Sequence, residues 1–259
     1  MLMALAPAEL GSFLFFVYCA ALAMAHERVR RRRVLAGAIA GLVCAAGWVA
    51  SRPAPILHDW ILPPVVLLIG YWTSGALFVA ASPAAERALM AFDRLLSVRA
   101  WSARAPRFVA EFLEIAYVGV YPLIPIALAI HVTLTPDPDP DRFWAVILIT
   151  DYVCFGVLPW VQTRPPRALE AGEPWRSSIR PFNMHLLGAA SIGVNTFPSG
   201  HAAEALAAAL LVLGAPLPVV AWMLFNAAAI GAAAVFGRYH YAADAISGYA
   251  VALLVWAAL

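Results

Sequence analysis

Apolar residues run in long stretches along the whole chain, and the charged residues gather into short interruptions between them. A membrane-crossing helix takes roughly 20 mostly apolar residues. Stretches of that kind fall near 8–26, 34–51, 61–81, 108–132, 143–162, 199–214, 216–236 and 241–259. The pattern predicts an all-α fold, a polytopic membrane helix bundle of about eight transmembrane helices. Trp60, Trp72, Trp101, Trp144, Trp160 and Trp175 lie mostly near span ends, where an aromatic belt belongs.

Two segments break this pattern. Residues 83–106 interleave Ala88, Leu89, Met90, Phe92, Leu95 and Leu96 with Glu86, Arg87, Asp93, Arg94 and Arg99. That alternation predicts an amphipathic helix lying in the headgroup layer, an elbow between spans. The loop Pro136–Asp141 reads PDPDPD and is expected to be a stiff, solvated connector. The long connection from Gln162 to Pro198 carries Arg164, Arg167, Arg176 and Arg180 and leads straight into a helix start. Loops of that length in a compact protein are usually functional.

Composition narrows the classes of function. Of 259 residues, 63% are apolar and 12% charged, against about 25% charged in a soluble domain. Mean hydropathy is +0.81. A soluble cytosolic enzyme, a disordered chain and a nucleic-acid binder with a basic face are excluded. All 17 Lys and Arg residues are arginine, so anything anionic must be held by arginine, histidine or backbone N–H. Cys19, Cys44 and Cys154 sit in apolar stretches without metal or redox spacing and read as small buried hydrophobes. The first basic cluster follows the first apolar segment, which is not the shape of a signal peptide.

Three short pieces carry chemistry. The first is Thr163-Arg164-Pro165-Pro166-Arg167, just past the fifth span. The second, Asn195-Thr196-Phe197-Pro198-Ser199-Gly200-His201, opens the sixth. Free N–H groups at such a helix start form an anion site, with Ser199 as cap or phosphate donor and His201 beside the anion. The third runs from Gly237 through Arg238, Tyr239 and His240 to Asp244. His240 and Asp244, four residues apart, are expected on one helix face, where the carboxylate orients the ring. An even number of passes brings all three pieces to one membrane surface. Two histidines, an aspartate, three arginines and a helix N-terminus form an inventory for handling a phosphate ester without a metal or other cofactor. Glu204 and Asp151 are open between pocket roles and helix packing, and Glu111 and Glu114 are expected near an interface.

The run Pro198-Ser199-Gly200-His201, the downstream His240-x-x-x-Asp244 element and the preceding Arg-Pro resemble the type 2 phosphatidic acid phosphatase superfamily. His240-Tyr241 and Pro165-Pro166-Arg167 are also similar to the branch that includes inositol phosphorylceramide synthases. The resemblance covers roughly residues 61–259, leaving two additional N-terminal helices within 1–60. It departs from the family at two points. Val157 stands where the first motif has lysine, and Ala234 where the third has arginine, with Arg238 as the expected substitute.

The resemblance implies double displacement at phosphorus. His240 would attack and carry a phosphohistidine, oriented by Asp244, and His201 would protonate the leaving alkoxide and then activate the acceptor. Arg164, Arg167 and Arg238, with N–H groups of Ser199 and Gly200, would hold the phosphoryl oxygens. Water as acceptor makes a phosphatase acting on phosphatidic acid or a prenyl pyrophosphate; an alcohol acceptor makes a phosphotransferase. A lipid or anion carrier is the rival from another class. The implied partners are a lipid phosphate and membrane lipids, in a multi-pass protein of a bacterial-type inner membrane.

Orientation has two readings. Arg28 and Arg30–Arg33 follow the first span, and Arg87, Arg94, Arg99, Arg104 and Arg107 follow the third. The positive-inside rule places both runs, and with them the catalytic loop, in the cytoplasm. The resemblance implies the outer face, which is the expectation carried forward.

Overall fold

In the computed structural model, residues 5–259 are described, and they form helices and loops with no strand among them. Two helices open the chain, α1 (Pro7–Ala25) and α2 (Arg31–Ala50). A π-helical turn, Ile56–Ile61, runs into α3 (Leu62–Gly75) and makes one 20-residue apolar helix with it. Next come α4 (Pro83–Leu95), α5 (Val98–Arg104), α6 (Arg107–Val118) and α7 (Val120–Leu134). The rest are α8 (Pro140–Val157), α9 (Arg180–Ala190), α10 (Gly200–Leu210), α11 (Leu217–Phe236) and α12 (Ala242–Ala258).

Among the described residues, α1, α2, the Ile56–Gly75 helix and α11 are long and apolar enough to cross a membrane. The α6–α7 pair, bent by 62° at Gly119, brings the number to five when its two halves are counted as one span. The remaining three expected spans are shorter or more polar. Helix α8 carries Asp141, Arg142 and Asp151, α12 has 17 residues and α10 has 11. These three nevertheless run from one end of the bundle to the other. Ser199 caps α10 at one end, while Leu211 just past it accepts from His131 (2.8 Å) at the opposite end.

Helix α10 stands at the centre because it is built of alanine. Ala202, Ala203, Ala205, Ala207, Ala208 and Ala209 are all buried and let α7, α8, α11 and α12 pack close around it. The closest approach is at Gly248 on α12, where a Cβ would stand 2.5 Å from the Ser199 carbonyl oxygen. Helix α1 joins through aromatic packing, with Phe15 stacked on Tyr152 at 4.3 Å and Ser12 hydrogen-bonded to the Tyr152 hydroxyl (3.0 Å).

The segment expected as an amphipathic helix is two helices, α4 and α5, broken at Ser97, whose φ of 54° ends the first. Ser82 caps α4 through Ala85 N–H, and Pro83 occupies its first position. Leu95, Leu96 and Trp101 are exposed, but Glu86 and Asp93, one two-turn step apart, point into the protein. The expected PDPDPD connector has a defined role at its end: Asp139 caps α8 by accepting from Arg142 N–H (2.9 Å).

Candidate active site

The three motif segments meet at one end of the bundle through backbone contacts. Thr163 and Asn195 form an isolated antiparallel bridge, with Asn195 N–H donating to the Thr163 carbonyl (3.0 Å). The chain then passes through the cis Phe197-Pro198 peptide into Ser199, whose hydroxyl accepts from Ala202 N–H (3.4 Å) and caps α10. The Ser199 N–H itself is taken: it donates to the Asp244 carbonyl (2.9 Å). Gly200, not Ser199, is therefore the residue of this turn that borders the pocket and brings helix N-terminal backbone to it.

His240 lies in the turn between α11 and α12, two residues before the helix start, so it does not share a helix face with Asp244. The juxtaposition arises differently. Asp244 in the first turn of α12 reaches back and accepts from Tyr241 N–H (2.9 Å), a helix-capping arrangement. That places Asp244 Oδ2 3.5 Å from His240 Nδ1, close enough for the hydrogen bond to tighten around a reacting group. Asn195 Nδ2 donates to the same oxygen (2.9 Å) and to Thr163 Oγ1 (3.0 Å), fixing the carboxylate. Burial, and after it the Arg167 guanidinium, push His240 from 6.5 down to about 3 and favour the neutral, nucleophilic ring.

His201 and His240 border one cavity of about 290 Å³, their ring centroids 5.8 Å apart. Tyr117 stacks on His201 at 5.1 Å and on Tyr239 at 3.8 Å, and Tyr121 meets His201 edge-on at 5.9 Å. Tyr117 on α6 and Tyr121 on α7, four residues apart across Gly119, both reach His201. At the mouth, Leu68 and Trp72 of α3 line the cavity and are also exposed on the outside of the bundle.

The three candidate arginines separate into different roles. Arg167 lines the cavity, lies over the Tyr239 ring at 5.3 Å and donates to the Tyr239 carbonyl (3.3 Å). No carboxylate among the described residues pairs with it. Arg164 instead forms a two-pronged pair with Glu86 (2.9 and 2.8 Å). Those hydrogen bonds hold the Glu86 carboxyl below the usual carboxylate range. Arg238 is buried between Asp93 (2.7 Å) and Glu170 (2.9 and 3.0 Å), at a φ of 60° that these pairs sustain. Neither Arg164 nor Arg238 borders the cavity. They bolt α4 to the loop after α8 and to the turn carrying His240.

Arg180 is likewise structural, buried against Glu114 (2.9 Å) and Glu173, with its guanidinium over the Tyr239 ring at 5.1 Å. Glu114, expected near an interface, is fully buried and accepts from Arg180, Asn183 (2.6 Å), Trp175 (2.7 Å) and the Tyr239 hydroxyl. A charged network of this kind rigidifies the turn behind the histidines. Sequence reasoning missed Tyr117 and Tyr121 as neighbours of His201 and Asn195 as the partner of Asp244. Asn195 had a signal, since it stands inside the motif that opens α10.

A family model described as PAP2 superfamily matches residues 83–258 of the chain. No curated protein and no solved structure matches it.

Proposed function

Since the chain belongs to the PAP2 superfamily, we propose that it is a metal-independent membrane enzyme that removes or transfers the phosphoryl group of a lipid phosphate or pyrophosphate. One observation carries the reading: a histidine beside a fixed carboxylate shares a cavity with a second histidine and an arginine that no carboxylate among the described residues neutralises. A carrier would need the positive charge but not the oriented ring. The cavity mouth, formed by Leu68 and Trp72 on the lipid-facing side of α3, suits a prenyl or acyl chain entering sideways from the bilayer.

In this reading His240 Nε2 attacks phosphorus, because Nδ1 faces Asp244. A P–N bond forms, the P–O bond to the leaving group breaks, and protonated His201 gives its proton to the departing oxygen. His201 then takes a proton from water or an alcohol, whose oxygen displaces His240 and releases or transfers the phosphoryl group. Arg167 and backbone N–H at Gly200 stabilise the phosphoryl oxygens. The test is phosphate release from short-chain phosphatidic acid and farnesyl pyrophosphate in detergent with EDTA present. Turnover that survives EDTA and disappears in both His240→Ala and His201→Ala supports the reading. Full turnover in both variants overturns it.

The same proposal includes a membrane face. Loops joining α1 to α2 and α3 to α4 meet the site end, as Arg30 N–H bonded to Ala76 O (3.4 Å) and Ser82 N–H bonded to Gln162 O (2.7 Å) show. Every arginine except Arg52 and Arg142 lies at that end; Arg52 pairs with Glu9, and Arg142 reaches the C-terminal turn of α12. The positive-inside rule then puts the active site in the cytoplasmic leaflet, the reverse of what the family resemblance implies. In intact cells an impermeant thiol reagent should modify Asp137→Cys and spare Arg32→Cys. The opposite labelling overturns the cytoplasmic assignment.

A further inference from the structure

Beside the catalytic cavity, at the same end of the bundle, lies a second recess of about 440 Å³. It opens between α2, α3 and the loop that joins α9 to α10. All of its lining residues except Ser191 and Ile192 precede residue 83, so it is built mostly by the part of the chain that the family model leaves out. Two hydrogen bonds fix the loop against α3. Trp72 Nε1 donates to the Ala190 carbonyl (3.0 Å), and the Ile192 N–H donates to the Tyr71 hydroxyl (3.1 Å). Gly75 permits the close fit, since a Cβ there would stand 2.5 Å from Ile192 Cγ2.

The polar wall of the recess is cationic. Arg30 and Arg33, one turn apart at the start of α2, border it. They belong to the run Arg30–Arg33, with Arg28 just before it, and no carboxylate among the described residues pairs with any of the five. Arg52, Arg164, Arg180 and Arg238 each have one. Cations crowded into a first helical turn repel one another and the positive helix end, so the missing partner is an anion from outside the chain. Fixing the orientation of a membrane protein takes positive charge alone; it does not call for a recess with two of the arginines in its wall.

The shape of the recess narrows the anion. Its volume falls among those of ligand sites, about 300–1,000 Å³, and two guanidinium forks match phosphate oxygens. Trp72 and Ile69 of α3 give it an apolar side. Val65, one turn deeper into the bundle than Ile69 on the same helix face, is exposed. Charge at the membrane surface followed by exposed hydrocarbon is the order of a lipid, headgroup first and acyl chain below; a free phosphate would use only the first.

We propose that this recess binds the headgroup phosphate of an anionic phospholipid at the entrance to the catalytic cavity. Trp72 and Ser191 line both spaces, so the bound lipid stands across Trp72 from the catalytic cavity. Binding there needs neither histidine and stands apart from the phosphoryl-transfer reading.

The test uses the full chain in dodecyl maltoside micelles at about 0.15 M salt, where exposed charges more than about 8 Å apart are largely screened. The parent protein is Arg167→Ala, which lacks the arginine of the catalytic cavity, so the phosphate binding that remains is read at the recess. Calorimetric affinities are measured for dihexanoyl phosphatidylglycerol, for dihexanoyl phosphatidylcholine, whose choline cancels the charge, and for inorganic phosphate. The parent should prefer phosphatidylglycerol to phosphatidylcholine by at least about tenfold. Adding Arg30→Gln and Arg33→Gln should abolish the preference. Adding Arg28→Gln and Arg32→Gln, which removes the same charge outside the recess, should leave it. Unfolding temperatures of both pairs should match the parent, because none of the four side chains bonds to a described residue; Arg33→Gln alone carries the comparison if the pair does not fold. No preference, a preference kept without Arg30 and Arg33, or an equal loss in both pairs would overturn the site. Inorganic phosphate bound as tightly as phosphatidylglycerol would overturn its assignment to a lipid.

Discussion

Gly248→Ala probes how tightly the two halves of the site are held together. A Cβ at this position would lie 2.5 Å from the Ser199 carbonyl oxygen and 3.3 Å from the Ala203 nitrogen, both main-chain atoms of the α10 start. Ordinary C···O contact begins at about 3.3 Å, so α12 must retreat from α10 by roughly 0.8 Å. The two helices are also joined at this point by the hydrogen bond from Ser199 N–H to the Asp244 carbonyl. The retreat therefore carries Asp244, and His240 with it, away from His201 and Gly200. Overpacking of this size costs about 1–3 kcal/mol, and a misplacement near 1 Å costs about 100-fold in rate. The assay is kcat/KM for short-chain phosphatidic acid well below the unfolding temperature, with thermal unfolding measured in parallel. Gly47→Ala is the control: nothing lies within 4 Å of its added methyl, so it should keep the wild-type rate and unfold no earlier. Wild-type rate and stability in Gly248→Ala would show that the α10–α12 contact does not set the catalytic geometry.

The arginines should respond in two ways. Arg167→Ala is expected to lower kcat/KM by at least about 100-fold with little change in unfolding temperature, since its guanidinium faces the cavity without a carboxylate partner. Arg238→Ala should instead destabilise by about 3–5 kcal/mol, because it strands buried Asp93 without its cation; thermal unfolding separates the two patterns. For Glu86 the folded carboxyl is held low by Arg164. Its stabilisation is present above the ordinary glutamate range and is lost as pH falls through the lowered value. Glu86→Gln should flatten that acid limb of unfolding temperature against pH, and an unchanged limb would show the pair contributes nothing.

The spans were legible because apolar runs of that length have few alternatives in water. The meeting of His201 with His240 followed from counting passes, even though α8, α10 and α12 are short or polar for spans. Arginine roles were not legible. Arg164 and Arg238 pair with Glu86 and Asp93, more than 70 residues away in sequence, and spacing along a chain does not distinguish a solvated charge from a clamped one. The same limit applies to α4: its charged residues are expected toward headgroups, yet only Arg87 and Arg94 stay exposed, while Glu86 and Asp93 turn inward to those arginines. Tyr117 and Tyr121 flank the 62° bend at Gly119, a glycine that periodicity alone reads as mid-span, and spacing does not say which neighbouring helix their rings meet. His240 and Asp244 meet as expected, but through a helix-capping contact and not a shared helix face.

The central claim is that His240 carries the phosphoryl group, and trapping that intermediate tests it most directly. Acid-avoiding quench of the protein turning over ³²P-labelled lipid phosphate, followed by peptide mapping, should place an alkali-stable, acid-labile label on His240. The label should vanish in His240→Ala and persist longer in His201→Ala, where the second displacement lacks its base. Turnover with no label on His240, or label retained in His240→Ala, would contradict the account.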